Sequence, residues 1–403
     1  MGKPETQEEK YKTMTEKPVS SLICRLAVPT IISMLVTSFY NMADTFFVAR
    51  IGTSATAAVG ISFSLMAIIQ AFGFFCGHGS GNYISRKMGQ HRFDEAQQMA
   101  ATGFFTALAL GTVIFLLGEI FIDPLCRILG ATETILPYAR QYLATIISQF
   151  VGFVLLLKGT TQGGNLRIRL RNVTFSKYYY SQIINGGMPS LCRQGLGSVA
   201  TICLNLMAGP YGDAAIAAMS VVGRVMNLAA SVVIGFGQGF QPVCGFNYGA
   251  FLYDRVKEGF WFCVKVATVI LIVLSVVGYL LAPQVIQLFS KNDPQVIEIG
   301  AQALRWQCLT FPLCGWITIC NMMLQTIGKS FRASLLAMSR QGLFFIPAVL
   351  LLPALIGIQG VEIAQPIADV CSFVLAIPLQ LSVLHEMTVK QRKAACALQT
   401  SEG

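Results

Sequence analysis

Apolar residues in this chain neither alternate nor recur every third or fourth position. They run nearly unbroken for twenty residues or more and are then cut by short polar, mostly basic connections. A helix needs no polar face only in a hydrocarbon core, and runs of this length span one roughly 30 Å thick. Ten such runs are predicted to be transmembrane helices: about 23–48, 56–82, 97–120, 135–158, 188–209, 214–242, 260–282, 298–327, 333–355 and 361–384. The fold class that follows is an all-α polytopic membrane protein. Residues 1–22 and 387–403 read as polar tails, the first without the apolar stretch of a cleavable signal peptide.

Composition agrees with this pattern, since 54% of residues are hydrophobic and only 12% charged, against about 25% charged in an ordinary soluble domain. The net charge of +10 raises the question of nucleic acid. Its placement answers differently. With the N-terminus inside, twenty lysines and arginines fall on inner segments and three, Arg50, Arg127 and Lys291, on outer ones. That bias places both termini in the cytoplasm and assigns the basic residues to anionic lipid, with no nucleic-acid partner. The 12 cysteines are scattered mostly through apolar spans, and His78, His91 and His385 stand isolated. They predict packing residues and inert thiols, with no disulfide, metal cluster or cofactor. No Walker, HExxH or GxSxG motif is present, so neither ATP use nor an intramembrane enzyme is expected.

Shifting the chain by 160 residues superposes its two halves. Pro29 falls on Pro189, Gly52 on Gly212, Gly77, Gly79 and Gly89 on Gly237, Gly239 and Gly249, and Asp94 on Asp254. Two homologous lobes, each starting on the same side of the membrane, form a parallel repeat about an axis along the membrane normal. The register then breaks: LATIISQFVGFVL (143–155) matches IAQPIADVCSFVL (363–375) at an offset of 220. The amino lobe therefore lacks about 60 residues, and its last span reads as a fusion joined near Leu143–Ala144. The predicted organisation is a tail (1–22), a four-span amino lobe (23–158), a basic inter-lobe loop (159–187), a six-span carboxyl lobe (188–386) and a tail (387–403).

The segments LAVPTIISMLVTSFYNMADTFFVARIGTSATAAVGIS, GHGSGNYISRKMG, GMPSLCRQGLGS and GQGFQPVCGFNYGA resemble the bacterial multidrug and toxic compound extrusion (MATE) family, over nearly all of 17–385. The resemblance implies two lobes around a V-shaped cavity and exchange of organic cations or toxic compounds for Na⁺ or H⁺. It also implies a monomer in a bacterial inner or plasma membrane. The chain departs from the family pattern where the repeat breaks. The fifth helix with its N-x-x-x-D-P segment is missing, as are the Arg and Gly usual near the end of the fourth. With that helix missing, a transport-inactive remnant stands as the alternative function.

Asp44 is the sharpest candidate for chemistry. A carboxylate in the membrane costs roughly 2.5–3.5 kcal/mol on insertion scales, so it usually faces a cavity and works there, unless it lies near enough to the interface to be solvated. Asn41 lies one turn away. The resemblance places Asp44 in an amino-lobe cation site and points Thr145 at the same Na⁺ or proton. Candidates for lining the substrate cavity are Tyr40, Gln149, Arg193, Gln194, Gln238, Gln241, Asn321, Gln325 and the second buried acid, Asp369. Interhelical hydrogen bonding, worth about 0.6 kcal/mol each, is an equally good reading of the amides.

Overall fold

A computed structural model describes residues 7–48, 53–121, 123–124, 168–289 and 293–402. Their regular structure is helical: α1 (Gln7–Glu16), α2 (Val19–Val48), α3 (Thr53–Gly89), α4 (Phe93–Ile120), α5 (Lys177–Ala208) and α6 (Asp213–Gly249). There follow α7 (Tyr253–Leu280), α8 (Ala282–Gln287), α9 (Pro294–Thr326), α10 (Ser330–Met338), a π-turn (Ser339–Leu343), α11 (Phe345–Ile356) and α12 (Ile358–Glu402). Local chemistry sets several boundaries. Asp293 caps α9 by accepting from the backbone N–H groups of Gln295 and Val296, and Pro294 fills the first helical position, where no N–H is needed. Gly212 and Gly357, both at positive φ, let the chain reverse between α5 and α6 and after α11.

Six helical stretches among the described residues are long and apolar enough to cross a membrane: Val19–Ala43, Ala214–Gly249, Tyr253–Leu280, Pro294–Thr326, Ser330–Ile356 and Ile358–Lys393. The run expected at 333–355 is a broken helix, with the π-turn inserted between α10 and α11. The run expected at 188–209 lies within α5, which is less apolar because Arg193, Gln194 and Asn205 interrupt it. The span expected at 135–158 and the join near Leu143–Ala144 lie outside the described residues. Helix α1, within the stretch read as a tail, is an element the hydropathy pattern did not announce.

The repeat seen in the sequence is built into the backbone. His91, in the α3–α4 turn, and its mate Phe251, in the α6–α7 turn, are the described non-glycine residues with positive φ, at 57° and 61°. The Arg92 N–H donates to the Lys87 carbonyl and the Leu252 N–H to that of Asn247, both at 2.9 Å, so one turn is made twice. These turns mark one end of the molecule, the base; the α5–α6 reversal marks the opposite end, the mouth.

The lobes meet chiefly through three helix pairs, α3 with α5, α2 with α6 and, at the base, α3 with α6. At the base the contact is backbone on backbone. A Cβ on Gly89 would lie 2.0 Å from the Phe246 carbonyl oxygen, and one on Gly249 would lie 2.0 Å from that of Arg86. Arg86 and Phe246 are themselves repeat mates, so the approach is close to two-fold symmetric, and only glycine permits it. Higher up, Gly239 lies against Ala27, Gly235 against Ile31, and Gly79 against Ile183 and Gly186. The largest core cluster sits behind this seam, where Ile23, Phe240, Phe260, Leu271, Met323 and Leu324 from α2, α6, α7 and α9 are essentially inaccessible.

Candidate functional site: the cleft above the inter-lobe seam

Among the described residues, the polar contact between α3 and α5 nearest the mouth is His78 Nδ1 to Ser190 Oγ, 2.7 Å. Gln325 on α9 donates to the same Ser190 Oγ and to the Gly186 carbonyl, both at 2.8 Å, which ties the bridge to the carboxyl-lobe core. Between α2 and α6 the corresponding contacts are Thr30 Oγ1 donating to the Gly235 carbonyl, 2.7 Å, and Ser38 Oγ with Ser231 Oγ, 2.6 Å. Beyond Ser190 and Ser231 the same helices continue towards the mouth with Arg193 and Gln194 on α5, and Asn227 and Arg224 on α6. Arg224 is seven residues, two turns, from Ser231 and therefore on the face that meets the amino lobe below. Polar side chains thus continue on the carboxyl-lobe helices α5 and α6 above the contacts that join the lobes.

On the amino-lobe side Asn41 continues the α2 face that carries Ala27, Thr30 and Ser38, and it is half-buried. Asp44 lies four residues before the described end of α2 at Val48, and its side chain is outside the described part of the structure. Thr145 and Gln149 are outside it as well. Tyr40 is 58% exposed and stands on the opposite side of α2 from the seam. Among the described residues, no three His, Cys, Asp or Glu side chains converge on a point where a metal ion would sit.

Asp369 is buried, as expected of a working acid, and its partners are now defined. Arg340 Nε donates to Oδ1 at 2.7 Å, Gln365 Nε2 to the same oxygen at 2.8 Å, and the Cys314 thiol approaches Oδ2 at 3.4 Å. The guanidinium is delivered by the π-turn, whose Ser339 hydroxyl lies 3.2 Å from that of Ser372. Such turns insert one residue into a helix and recur at functional sites. Arg193 does not reach Asp369 as an ion partner; the charge that acts on it is that of Arg340. Asn321 bridges α9 to the Ala333 carbonyl at 2.7 Å, a helix-to-helix bond rather than a cavity contact. The amide nitrogens of Gln238 and Gln241 and the amide oxygens of Asn321 and Gln325 are buried without a hydrogen-bond partner among the described residues.

Sequence reasoning passed over Arg340 and Glu362. Both carried a signal that was legible: a charge inside an apolar run, in AMSRQGLFF and in GVEIAQPIAD. Glu362 is 2% exposed, with Oε2 unpartnered among the described residues.

This arrangement of paired helical lobes agrees with what the chain resembles. The family model for MatE matches residues 29–164 and 189–351. The chain belongs to the MatE family. The multidrug export protein MepA of Staphylococcus haemolyticus is 22% identical over 446 aligned positions, covering 95% of this chain and 98% of the relative. MepA of Staphylococcus aureus is equally similar, at 22% over 445 positions. Among solved structures, the outward-facing form of a multidrug resistance MATE family transporter of the MOP superfamily superposes with a TM-score of 0.86 at 21% identity, covering 94% of this chain and 99% of that one. A MOP superfamily transporter from Pyrococcus furiosus superposes with 0.87 at 20% identity, covering 96% and 100%. The MatE fold, two helical lobes, is thereby shown. The 446 aligned positions exceed the 403 residues of the whole chain, so the staphylococcal MatE relative holds residues that this member lacks. That is the sense of the gap inferred from the internal repeat.

Proposed function

We propose that this protein is a secondary active multidrug exporter that moves amphipathic organic compounds out of a bacterial cell in exchange for Na⁺ or H⁺ moving in. The observation that carries the reading is the glycine seam that joins the lobes at the base, with polar residues of α5 and α6 continuing above it; the space between those residues and α2 is the proposed substrate cleft. The export proteins similar to this chain support it. The base is the cytoplasmic end, because the basic segments of the chain collect there. A membrane potential of 100 mV supplies about 2.3 kcal/mol per charge, enough for roughly fifty-fold accumulation without ATP.

Asp44 is the residue assigned to the coupling ion, with Asn41 and Thr145 as neighbouring oxygen donors; either Na⁺ or a proton is consistent with that donor set. The protein acts as a monomer in the bilayer, with a four-span amino lobe (23–158) and a six-span carboxyl lobe (188–386). The second reading, a transport-inactive remnant, is favoured by the residues its relatives have in excess.

Extrusion of a fluorescent lipophilic cation from cells expressing the chain separates the two. Efflux that disappears in Asp44→Asn, with the mutant still in the membrane, is the expected result. Efflux no greater than with empty vector, from protein verified in the membrane, favours the remnant. Normal export by Asp44→Asn refutes the role given to Asp44.

A further inference from the structure

The carboxyl lobe brings the guanidinium of Arg193 near that of Arg340, and an acid pairs with the second alone. Asp369 already accepts from Arg340 Nε and Gln365 and faces the Cys314 thiol. Arg340 is held there through Nε, and its two Nη groups have no acceptor among the described residues, although 28% of the side chain remains accessible. Arg193 is half-buried on α5 and has neither a hydrogen bond nor an ion pair among the described residues. The π-turn sets the two side by side. A Cβ on Gly342 would come within 2.8 Å of the Leu196 side chain, and Leu196 is three residues beyond Arg193 on the same flank of α5.

Two like charges held together away from bulk water raise the free energy of the empty arrangement, and a bound anion lowers it. Guanidinium is also the side chain whose donors match a carboxylate or phosphate in pairs. The location suits a ligand. Arg193 is one turn above Ser190, where the His78–Ser190–Gln325 bridge ends and the lobes part. It lies about 22 Å of helix below the mouth end of α5 at Ala208.

We propose that the floor of the cleft, at Arg193 and the Nη edge of Arg340, binds the acidic group of an amphipathic substrate, a carboxylate, sulfonate or phosphate ester. Asp369 takes no part in that contact; it fixes Arg340 so that its open donors point at the ligand. This deepens the exporter reading and rests on it. It adds zwitterions and organic acids to the compounds handled, with the acidic end seated on the carboxyl lobe.

The test uses purified full-length protein and two xanthene dyes that differ at one group: rhodamine 110, with a free carboxylate, and rhodamine 123, its methyl ester. Fluorescence polarisation reads the Kd of each. The acid should bind about tenfold or more tighter than the ester, the size of one charge-assisted contact. Arg193→Gln should bring the ratio towards one, and Arg193→Lys, which keeps charge without the fork, should retain part of it. The thermal unfolding midpoint checks the fold of each variant, and Arg193→Gln, which removes an unpartnered charge, should match or exceed the parent. An ester that binds as well as the acid, or an undiminished preference in a folded Arg193→Gln, overturns the anion subsite and leaves the exporter reading standing. Binding of neither dye overturns both.

Discussion

The two lobes are alike where they touch at the base and unlike in the residues their helices carry above it. At the base, repeat mates face each other: Gly89 against Phe246, Gly249 against Arg86, the His91 turn matching the Phe251 turn. Towards the mouth the same correspondence pairs Asp44 with Leu204, Ser33 with Arg193 and Ser64 with Arg224. At the offset of 220, Gln149 falls on Asp369 and Thr145 on Gln365, and Arg340 lies between the stretches matched at 160 and at 220. A duplicated scaffold has thus kept a symmetric contact surface at the base, while the sequence places its charges unequally, with Asp44 in the amino lobe and Arg193 and Arg224 in the carboxyl lobe. Close helix approach leaves no room for a Cβ where a glycine faces the other helix's carbonyl, so the two glycine positions stay equal. Polar groups facing an opening carry no such restriction.

The comparison breaks most visibly at the glycines. Gly249→Leu should abolish the closed base, because its side chain would occupy the position of the Arg86 carbonyl. Cys244, 1% exposed and beside Arg86, should then react with a membrane-impermeant maleimide at least about tenfold faster, read by mass spectrometry of that peptide. Gly89→Leu should do the same to a similar degree; a difference of more than severalfold between the two would show that the contact is not symmetric.

The asymmetric part is tested next. Asp369→Asn removes the buried acid that pairs with Arg340 and leaves that charge uncompensated, at an expected cost of about 3–5 kcal/mol in thermal or denaturant unfolding. The double change Asp369→Leu with Arg340→Met should recover most of it. A smaller effect is expected at the strap across the base, where the Tyr11 ring stacks on His91 at 3.9 Å and lies 5.4 Å from Phe246. Asn247 Nδ2 and Arg255 also donate to the Met14 carbonyl, tying α1 to the carboxyl lobe. Tyr11→Ala should cost about 0.5–1.5 kcal/mol and raise Cys244 labelling modestly.

The smallest expected change is with pH. The ammonium of Lys87, 2.7 Å from Glu95 in the α3–α4 region, holds that carboxyl below its usual range, with help from Tyr83 and Arg92. A depressed folded-state value means the contribution is complete above the ordinary carboxyl range and is lost as pH falls through the lowered one. Below about pH 4 the unfolding midpoint of the parent should therefore fall more steeply than that of Glu95→Gln.

Much of this was legible in the residues alone, for a definite reason. A membrane imposes one dominant rule on a helix, so the apolar runs at 214–242, 260–282, 298–327 and 361–384 each appear as a helix in the expected place. The α5 run is the instructive exception: Arg193, Gln194 and Asn205 lower its hydropathy, and Arg193 and Gln194 lie just beyond the point where the lobes part. Asp369 was visible as a buried acid, but its partner was not. Arg340 is 29 residues away in sequence, and only the extra residue of the π-turn aims it at the carboxylate.

By itself, then, the order of residues determined the helical class and the duplication at an offset of 160, because hydropathy and repetition are properties of the chain read in one dimension. What the tertiary structure alone decided is which repeat mates meet, how far up the seam closes, and which charges are paired. Those depend on distances between helices far apart in sequence, set by glycine-sized contacts and by a single inserted residue, and no local pattern encodes them.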